Sequence, residues 1–277
     1  MNHLEKKVIV VTGAAGGFGR IVSEKAAARG AKLVCADINE SELNTTVANI
    51  TSGNGAATAK VTDVTDLAQM KALAAHAVEQ FGRIDVMVNN AGVMPLAFYA
   101  DHENAAEAWS RCIDINFKGV LNGISAVYDQ MMAQGQGHVV NLSSIYGNFP
   151  VVGAGVYGAT KAAVNFLSES LRVESHGKIK VTIVKPTGVP QTGLSGGVVN
   201  SEAVVGILGQ NAATYGDTMM KVIMGEASAE QTDPDSAQYA VLNPDYLADQ
   251  VIYAMDQPWG VSIGDVTVRA TGDGYIL

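Results

Sequence analysis

The stretch Thr12-Gly13-Ala14-Ala15-Gly16-Gly17-Phe18-Gly19 follows the apolar run Val8–Val11 and opens a helical pattern over Gly19–Arg29. Strand, glycine-rich turn and helix N-terminus in that order make a phosphate cradle. The glycines let the backbone approach a pyrophosphate, and the helix supplies free N–H donors and a positive dipole end. Working outward, short apolar runs alternate with longer helical patterns. The expected strands are Val8–Val11, Lys32–Ala36, Ala56–Val61, Ile84–Val88, His138–Leu142, Lys180–Val184 and Val266–Arg269. The expected helices are Gly19–Arg29, Ser41–Ser52, Asp66–Phe81, Glu107–Ala133, Ala154–His176, Ser201–Ala227 and Pro244–Met255. Asn39 with Glu42 reads as a capping box and Thr65 as an N-cap. Several strand runs are near-continuous in β-branched residues, as strands covered on both faces require.

These patterns predict an α/β protein: a Rossmann-like, doubly wound parallel sheet of about seven strands with helices on both faces. Residues 1–277 read as one domain, with no repeat, low-complexity tract or linker. The segment 187–243 breaks the alternation and follows a strand's carboxyl end, where open α/β sheets bind ligands. It reads as a mobile substrate lid or, more blandly, as a passive insertion. The chain is 48% hydrophobic and 16% charged, with net charge −9. That acidity argues against nucleic acid or an anionic membrane as partner. Cys35 and Cys112 have no motif spacing, so neither zinc nor a disulfide is expected. Met1–Lys7 is too polar for a signal peptide and no stretch approaches a membrane span, so a cytoplasmic protein is expected.

Three further features carry chemistry. Asp37 ends the second strand, where a carboxylate can accept both ribose hydroxyls and repel a 2′-phosphate. Ile38 and Asn39 bring no cation, so NAD is favoured over NADP. Tyr157 lies four residues before Lys161, which puts both on one helical face. A cation beside a phenol stabilises the phenolate and is expected to lower the tyrosine pKa from about 10 toward the working pH. Val139-Val140-Asn141-Leu142 runs into Ser143-Ser144 at a strand's carboxyl end, where a hydroxyl could meet a substrate oxygen.

Gly13, Gly17 and Gly19 resemble the T-G-x-x-x-G-x-G loop of the short-chain dehydrogenase/reductase family. Because residue 16 is also glycine, the T-G-x-x-G-x-x-G of that family's longer, epimerase-like members fits as well. Asn89-Asn90-Ala91-Gly92 matches the family's N-N-A-G and, with the length, favours the shorter dehydrogenase subgroup. The resemblance implies a tetrad of Asn116, Ser144, Tyr157 and Lys161, with Ser143 as runner-up for the serine. In it Tyr157 is the general acid/base, Ser144 orients the substrate oxygen, Lys161 binds the nicotinamide ribose, and Asn116 interrupts a helix and holds a water. It also implies cofactor contacts at Gly13, Gly16, Gly17, Phe18, Gly19, Asp37, Ile38, Asp63, Val64, Asn90, Ala91, Gly92, Tyr157, Lys161, Pro186, Gly188, Val189 and Thr192. Asp63 is the residue expected at the adenine amine.

The resemblance spans about residues 7–192. Two places depart from it. Pro186-Thr187-Gly188-Val189-Pro190-Gln191-Thr192 shifts the family's P-G-x-x-x-T by one residue, and Val261–Thr271 lacks its usual ending. The latter is similar to a branch acting on small hydroxy acids and assorted ketones. The substrate wall is expected from Met94–Tyr99, Ile145–Val152 and Gly188–Met224, with Met94, Ile145 and Val151 facing substrate beside Ser144 and Tyr157. These runs are largely apolar, which points to a hydrophobic secondary alcohol or ketone. Met219, Met220 and Met224 fit a subunit interface equally well. A homotetramer or homodimer is implied, sharing the long helices 107–133 and 154–176. The competing readings are a hydroxy-acid dehydrogenase of the same family, a nucleotide-sugar epimerase or dehydratase, which calls for a larger C-terminal domain, and a non-catalytic cofactor sensor, which calls for loss of a catalytic group.

Overall fold

The computed structural model describes residues 2–189 and 192–276. Met1, and Pro190 and Gln191 of the expected lid, lie outside the described residues. Seven strands form one parallel sheet: β1 (Val8–Thr12), β2 (Lys32–Asp37), β3 (Ala56–Val61), β4 (Val86–Asn89), β5 (Gly137–Leu142), β6 (Ile179–Val184) and β7 (Asp265–Val266). Their spatial order is β3-β2-β1-β4-β5-β6-β7, and every pairing is parallel. The order reverses between β1 and β4, which opens a crevice at their carboxyl ends.

The period-two alternation of strands is visible in the packing. Ile9, Val11, Leu33, Cys35, Val140 and Leu142 face one apolar layer; Val8, Val10, Val34, Ala36 and Val139 face the other. The first layer is covered by α1 (Gly17–Ala28), α2 (Glu40–Ser52) and α9 (Pro244–Met255), which contribute Val22, Leu43 and Val251. The second is covered by α3 (Leu67–Phe81), α5 (Gly119–Gln134) and α6 (Gly155–Glu174), which contribute Leu73, Val127 and Leu171. Cys35 and Cys112 are buried free thiols. No described helix is long and apolar enough to cross a membrane.

Several boundaries differ from expectation for local reasons. The helix α3 is capped by Asp66, whose Oδ1 accepts from the Ala68 and Gln69 N–H groups; Thr65 instead donates to Asp63. Asn39 does cap α2, accepting from the Glu42 N–H at 3.2 Å. Ile84 falls outside β4 because its N–H and C=O are both taken by the Gln134 side chain. The last strand stops at Val266, the partner of Val184; beyond it the Thr187 hydroxyl donates to the Val268 carbonyl at 3.2 Å. The expected helix Ser201–Ala227 is broken. Ser201–Ile207 and Gly209–Asn211 are 3-10 turns, and only α7 (Ala212–Met224) is α-helical, followed by the short α8 (Ala229–Thr232). At Gly206 a Cβ would stand 2.0 Å from the Val152 carbonyl, and Gly209 has φ +52°.

Candidate active site

A cleft of about 1290 Å³ runs along the carboxyl ends of the strands. The turn after β1 forms its floor. Gly13 has φ +68°, and a Cβ at Gly19 would stand 2.2 Å from the Gly13 carbonyl oxygen, so both positions require glycine. Gly17 has φ +48°, and its Cβ would stand 2.3 Å from the Thr192 carbonyl oxygen. Gly16 is extended, with nothing near a built Cβ. The obligatory glycines are therefore 13, 17 and 19, which settles the spacing that the sequence left open. Asn90 clasps the turn from β4, donating through Nδ2 to the Thr12 and Gly13 carbonyls at 2.9 and 3.2 Å.

At one end the carboxylate of Asp37 accepts from the N–H groups of Ala15 (3.1 Å) and Asn39 (2.9 Å) and borders the cleft with Ile38. Asp63 and Val64 line the same end; Asp63 Oδ1 is held by the Thr65 N–H and hydroxyl at 2.9 and 2.8 Å. A cation that sequence reasoning missed also lines the cleft. Arg20 projects from the first turns of α1, donates to the Ala15 carbonyl and Thr46 Oγ1, and pairs with Glu42 at 2.7 Å. Its distance from Asp37 in sequence hid it.

At the other end Ser144, Tyr157 and Lys161 converge, all buried. The Ser144 hydroxyl accepts from the Tyr146 N–H at 3.3 Å and stands near enough to the Tyr157 phenol to favour its ionised form. Ser143 borders the cleft as well, but its hydroxyl is spent on the Lys161 carbonyl at 3.1 Å. Lys161 Nζ lies 5.8 Å from the centre of the Tyr157 ring and donates to the Leu142 carbonyl at 2.7 Å. Asn116 sits in a π-helical segment, Ile113–Lys118, that widens the run between α4 (His102–Cys112) and α5. It is fully buried, and its amide grips both backbone groups of Val93: Oδ1 accepts from N–H at 2.9 Å and Nδ2 donates to C=O at 2.8 Å. It does not border the cleft; it fixes the loop that follows Gly92. A Cβ at Gly92 would lie 3.3 Å from Asn116 Oδ1 and 3.7 Å from Lys161 Nζ.

The model of the short chain dehydrogenase family matches residues 7–203. An uncharacterized oxidoreductase of Listeria monocytogenes is 34% identical over 272 residues, 98% of this chain and 99% of that protein. The chain belongs to the short-chain dehydrogenase family. Among solved structures, a Burkholderia phymatum member in complex with NAD superposes with a TM-score of 0.75 at 28% identity, covering 96% of this chain and 90% of that one. A serine dehydrogenase complexed with NADP+ gives 0.75 at 27%, covering 94% of each. This short-chain dehydrogenase is thus an oxidoreductase with the family's nucleotide-binding architecture.

One expectation is overturned. Tyr157 and Lys161 share a helical face, but the phenol pKa is raised, not lowered. Burial dominates, and the neighbouring Ser144 hydroxyl offsets only part of it. Burial also lowers the Lys161 ammonium to about 8. The lysine is aimed at Leu142 rather than at the phenol oxygen, so its charge does little for the phenolate.

The walls also differ from the reading of the sequence. Met94 borders the cleft, as do Pro186, Gly188, Val189 and Thr192. Ile145 and Val151 do not: Ile145 is buried in, and Val151 packs against, the apolar cluster beneath the wall. Between them the 3-10 turn Ile145–Gly147 rotates Tyr146 into the cleft instead. Its ring meets Tyr157 edge-on at 5.5 Å. Tyr275, from the C-terminal segment, also lines this end.

Proposed function

We propose that this short-chain dehydrogenase interconverts a neutral, apolar secondary alcohol and its ketone, using NAD, in the cytoplasm. The observation that carries the reading is the convergence of buried Ser144, Tyr157 and Lys161, with Lys161 Nζ 5.8 Å from the centre of the Tyr157 ring, at an end of the cleft walled by Met94, Leu96, Val198, Ile207 and Met219. A bound nicotinamide would supply or accept the hydride. Gly13, Gly17 and Gly19 give the close backbone approach that its pyrophosphate needs, and Asp37 retains lone pairs for ribose hydroxyls. Tyr157 Oη donates a proton to the carbonyl oxygen in reduction and accepts one in oxidation. Ser144 shares that oxygen and orients it. Asn116 keeps the loop at Val93 in register beside Lys161, and the segment 187–243 acts as the substrate lid.

A hydroxy-acid substrate would need a cation at the Tyr157 end. Lys161 is committed to Leu142 there, Arg20 lies with Asp37 at the other, and Arg111 borders the cleft from α4 together with the acidic Glu107 and Asp114. The test is absorbance at 340 nm with a panel of secondary alcohols graded from small hydroxy acids to bulky alicyclic ones. Turnover of the acids alone would sink the apolar reading.

Asp37 supports the cofactor choice. A hydrogen bond to a charged group is worth about 1.5–3 kcal/mol. Asp37→Ala is therefore expected to raise KM for NAD at least tenfold and to narrow its advantage over NADP. An unchanged ratio would put the ribose contact elsewhere. The same proposal includes a homo-oligomer built on α6, where Phe166 and Val173 lie seven residues apart and are each 76% exposed. Phe166→Glu should lower the mass seen by light scattering.

A further inference from the structure

The C-terminal segment after β7 does not end on the sheet. It folds back over the cleft. Gly272 N–H donates to the Tyr239 carbonyl at 2.8 Å, Asn211 Nδ2 to the Gly274 carbonyl at 3.0 Å, and Ile276 N–H to the Ile207 carbonyl at 3.2 Å. Arg269 pairs with Asp273 and donates to the Tyr275 carbonyl at 2.7 Å. These bonds fix the backbone on both sides of Tyr275 and tie it to the turns preceding α7. The Tyr275 side chain then points inward. Its ring meets Tyr215 edge-on at 5.4 Å, and its hydroxyl fills the space where a Cβ at residue 188 would stand, 1.3 Å from that position. Gly188 belongs to the loop after β6, so the ring lies between that loop and α7 and borders the compartment that holds Tyr146 and Tyr157.

We propose that Tyr275 is the substrate-specificity residue of this enzyme, its ring limiting the length of the apolar substituent carried by the alcohol or ketone. The inference rests on the alcohol–ketone reading for its choice of ligands. Three features support it. The ring is held by backbone bonds on both flanks, so it is a fixed wall. The surrounding side chains, Val204, Ile207, Leu208 and Met219, are apolar. Burial raises the Tyr275 phenol to about 12, so the wall carries no charge at neutral pH. An apolar pocket discriminates by about 10–200-fold per methylene when a wall is rigid, which is the regime a fixed aromatic ring provides.

The experiment compares the wild type, Tyr275→Phe and Tyr275→Ala on methyl ketones of increasing chain length. It reads kcat/KM, and in parallel the Kd of each ketone for the enzyme–NADH complex by NADH fluorescence. Tyr275→Ala should raise the ratio of long to short ketone at least about tenfold in both readouts, with the Kd of NADH unchanged. Tyr275→Phe keeps the ring and should stay closer to the wild type than to Tyr275→Ala. An unchanged ratio in Tyr275→Ala overturns the proposal. So does a uniform weakening of all ketones together with NADH, which would mean that the segment only supports the fold. If no ketone is turned over but the Kd ratio shifts, Tyr275 keeps its role and the alcohol–ketone reading falls. Turnover with an unchanged ratio has the opposite meaning, and absence of both turnover and binding overturns both.

Discussion

Tyr157→Phe is expected to lower kcat for carbonyl reduction about 10²–10⁴-fold, the range for loss of a positioned acid or base, while NADH binds as in the wild type. The substitution removes one oxygen. The ring, buried at 3% exposure, keeps its edge-on contact with Tyr146, and Lys161 keeps its bond to Leu142. A change in NADH affinity comparable to the loss in kcat would assign Tyr157 to binding instead of proton transfer. The pKa direction adds a second arm. Burial holds the phenol above its usual value. Protonated Tyr157, the acid for reduction, therefore persists through neutral pH, and the phenolate, the base for oxidation, is scarce there. In the wild type, kcat/KM for reduction should be level from pH 6 to 7.5, whereas that for oxidation should climb with pH. An oxidation rate that is flat across this window would mean that a group other than Tyr157 takes the proton.

What the sequence revealed and what it hid divide along a physical line. Features fixed by short-range chain geometry were legible. The strand–turn–helix at Val8–Gly19, the alternation of apolar runs that makes a doubly wound sheet, and the spacing of Tyr157 and Lys161 on one turn all follow from local periodicity. Gly16 and Gly17 were indistinguishable as letters, because the difference lies in backbone angle and in the approach of Thr192, a residue far along the chain. Arg20 and Tyr275 escaped notice for the same reason. Each reaches the cleft through tertiary folding, and neither stands near a motif. Ile145 and Val151 belong to the largely apolar run 145–152 that the sequence offers as wall, yet a single 3-10 turn decides which side chain of that run faces the cleft. The Tyr157 pKa was misread because helical spacing says which face a lysine shares, not where its ammonium points. Any rule based on spacing alone would have missed the Leu142 carbonyl.

That carbonyl sets up the second large effect. Lys161→Met, which removes the cation proposed to hold the nicotinamide ribose, is expected to cost turnover about 10–100-fold, the worth of one hydrogen bond to a charged group, and yet to melt no lower than the wild type at pH 7. Lys161 is 5% exposed, and burial holds its ammonium at about 8 instead of 10.5. Between those values the unfolded chain binds the proton that the folded enzyme has released, so stability rises with pH across that window. Below about pH 8 both states are charged and the penalty for burying the cation is present in full, about 3 kcal/mol at one pKa unit per 1.36 kcal/mol. Methionine removes that penalty and fills a similar volume. Against it stands the Leu142 carbonyl, which loses its 2.7 Å donor at a cost of about 1–3 kcal/mol. The balance runs from neutral to stabilising at pH 7 and should move against the variant toward pH 10, where the wild type sheds its penalty by deprotonation. Calorimetric melting of both proteins at pH 7 and pH 10, beside the 340 nm assay, separates the cases. A variant that melts well below the wild type at pH 7 would mean that Lys161 is a structural anchor. A variant that melts as high or higher, and turns over more slowly, would mean that the enzyme keeps a buried charge for its chemistry and at the expense of its fold.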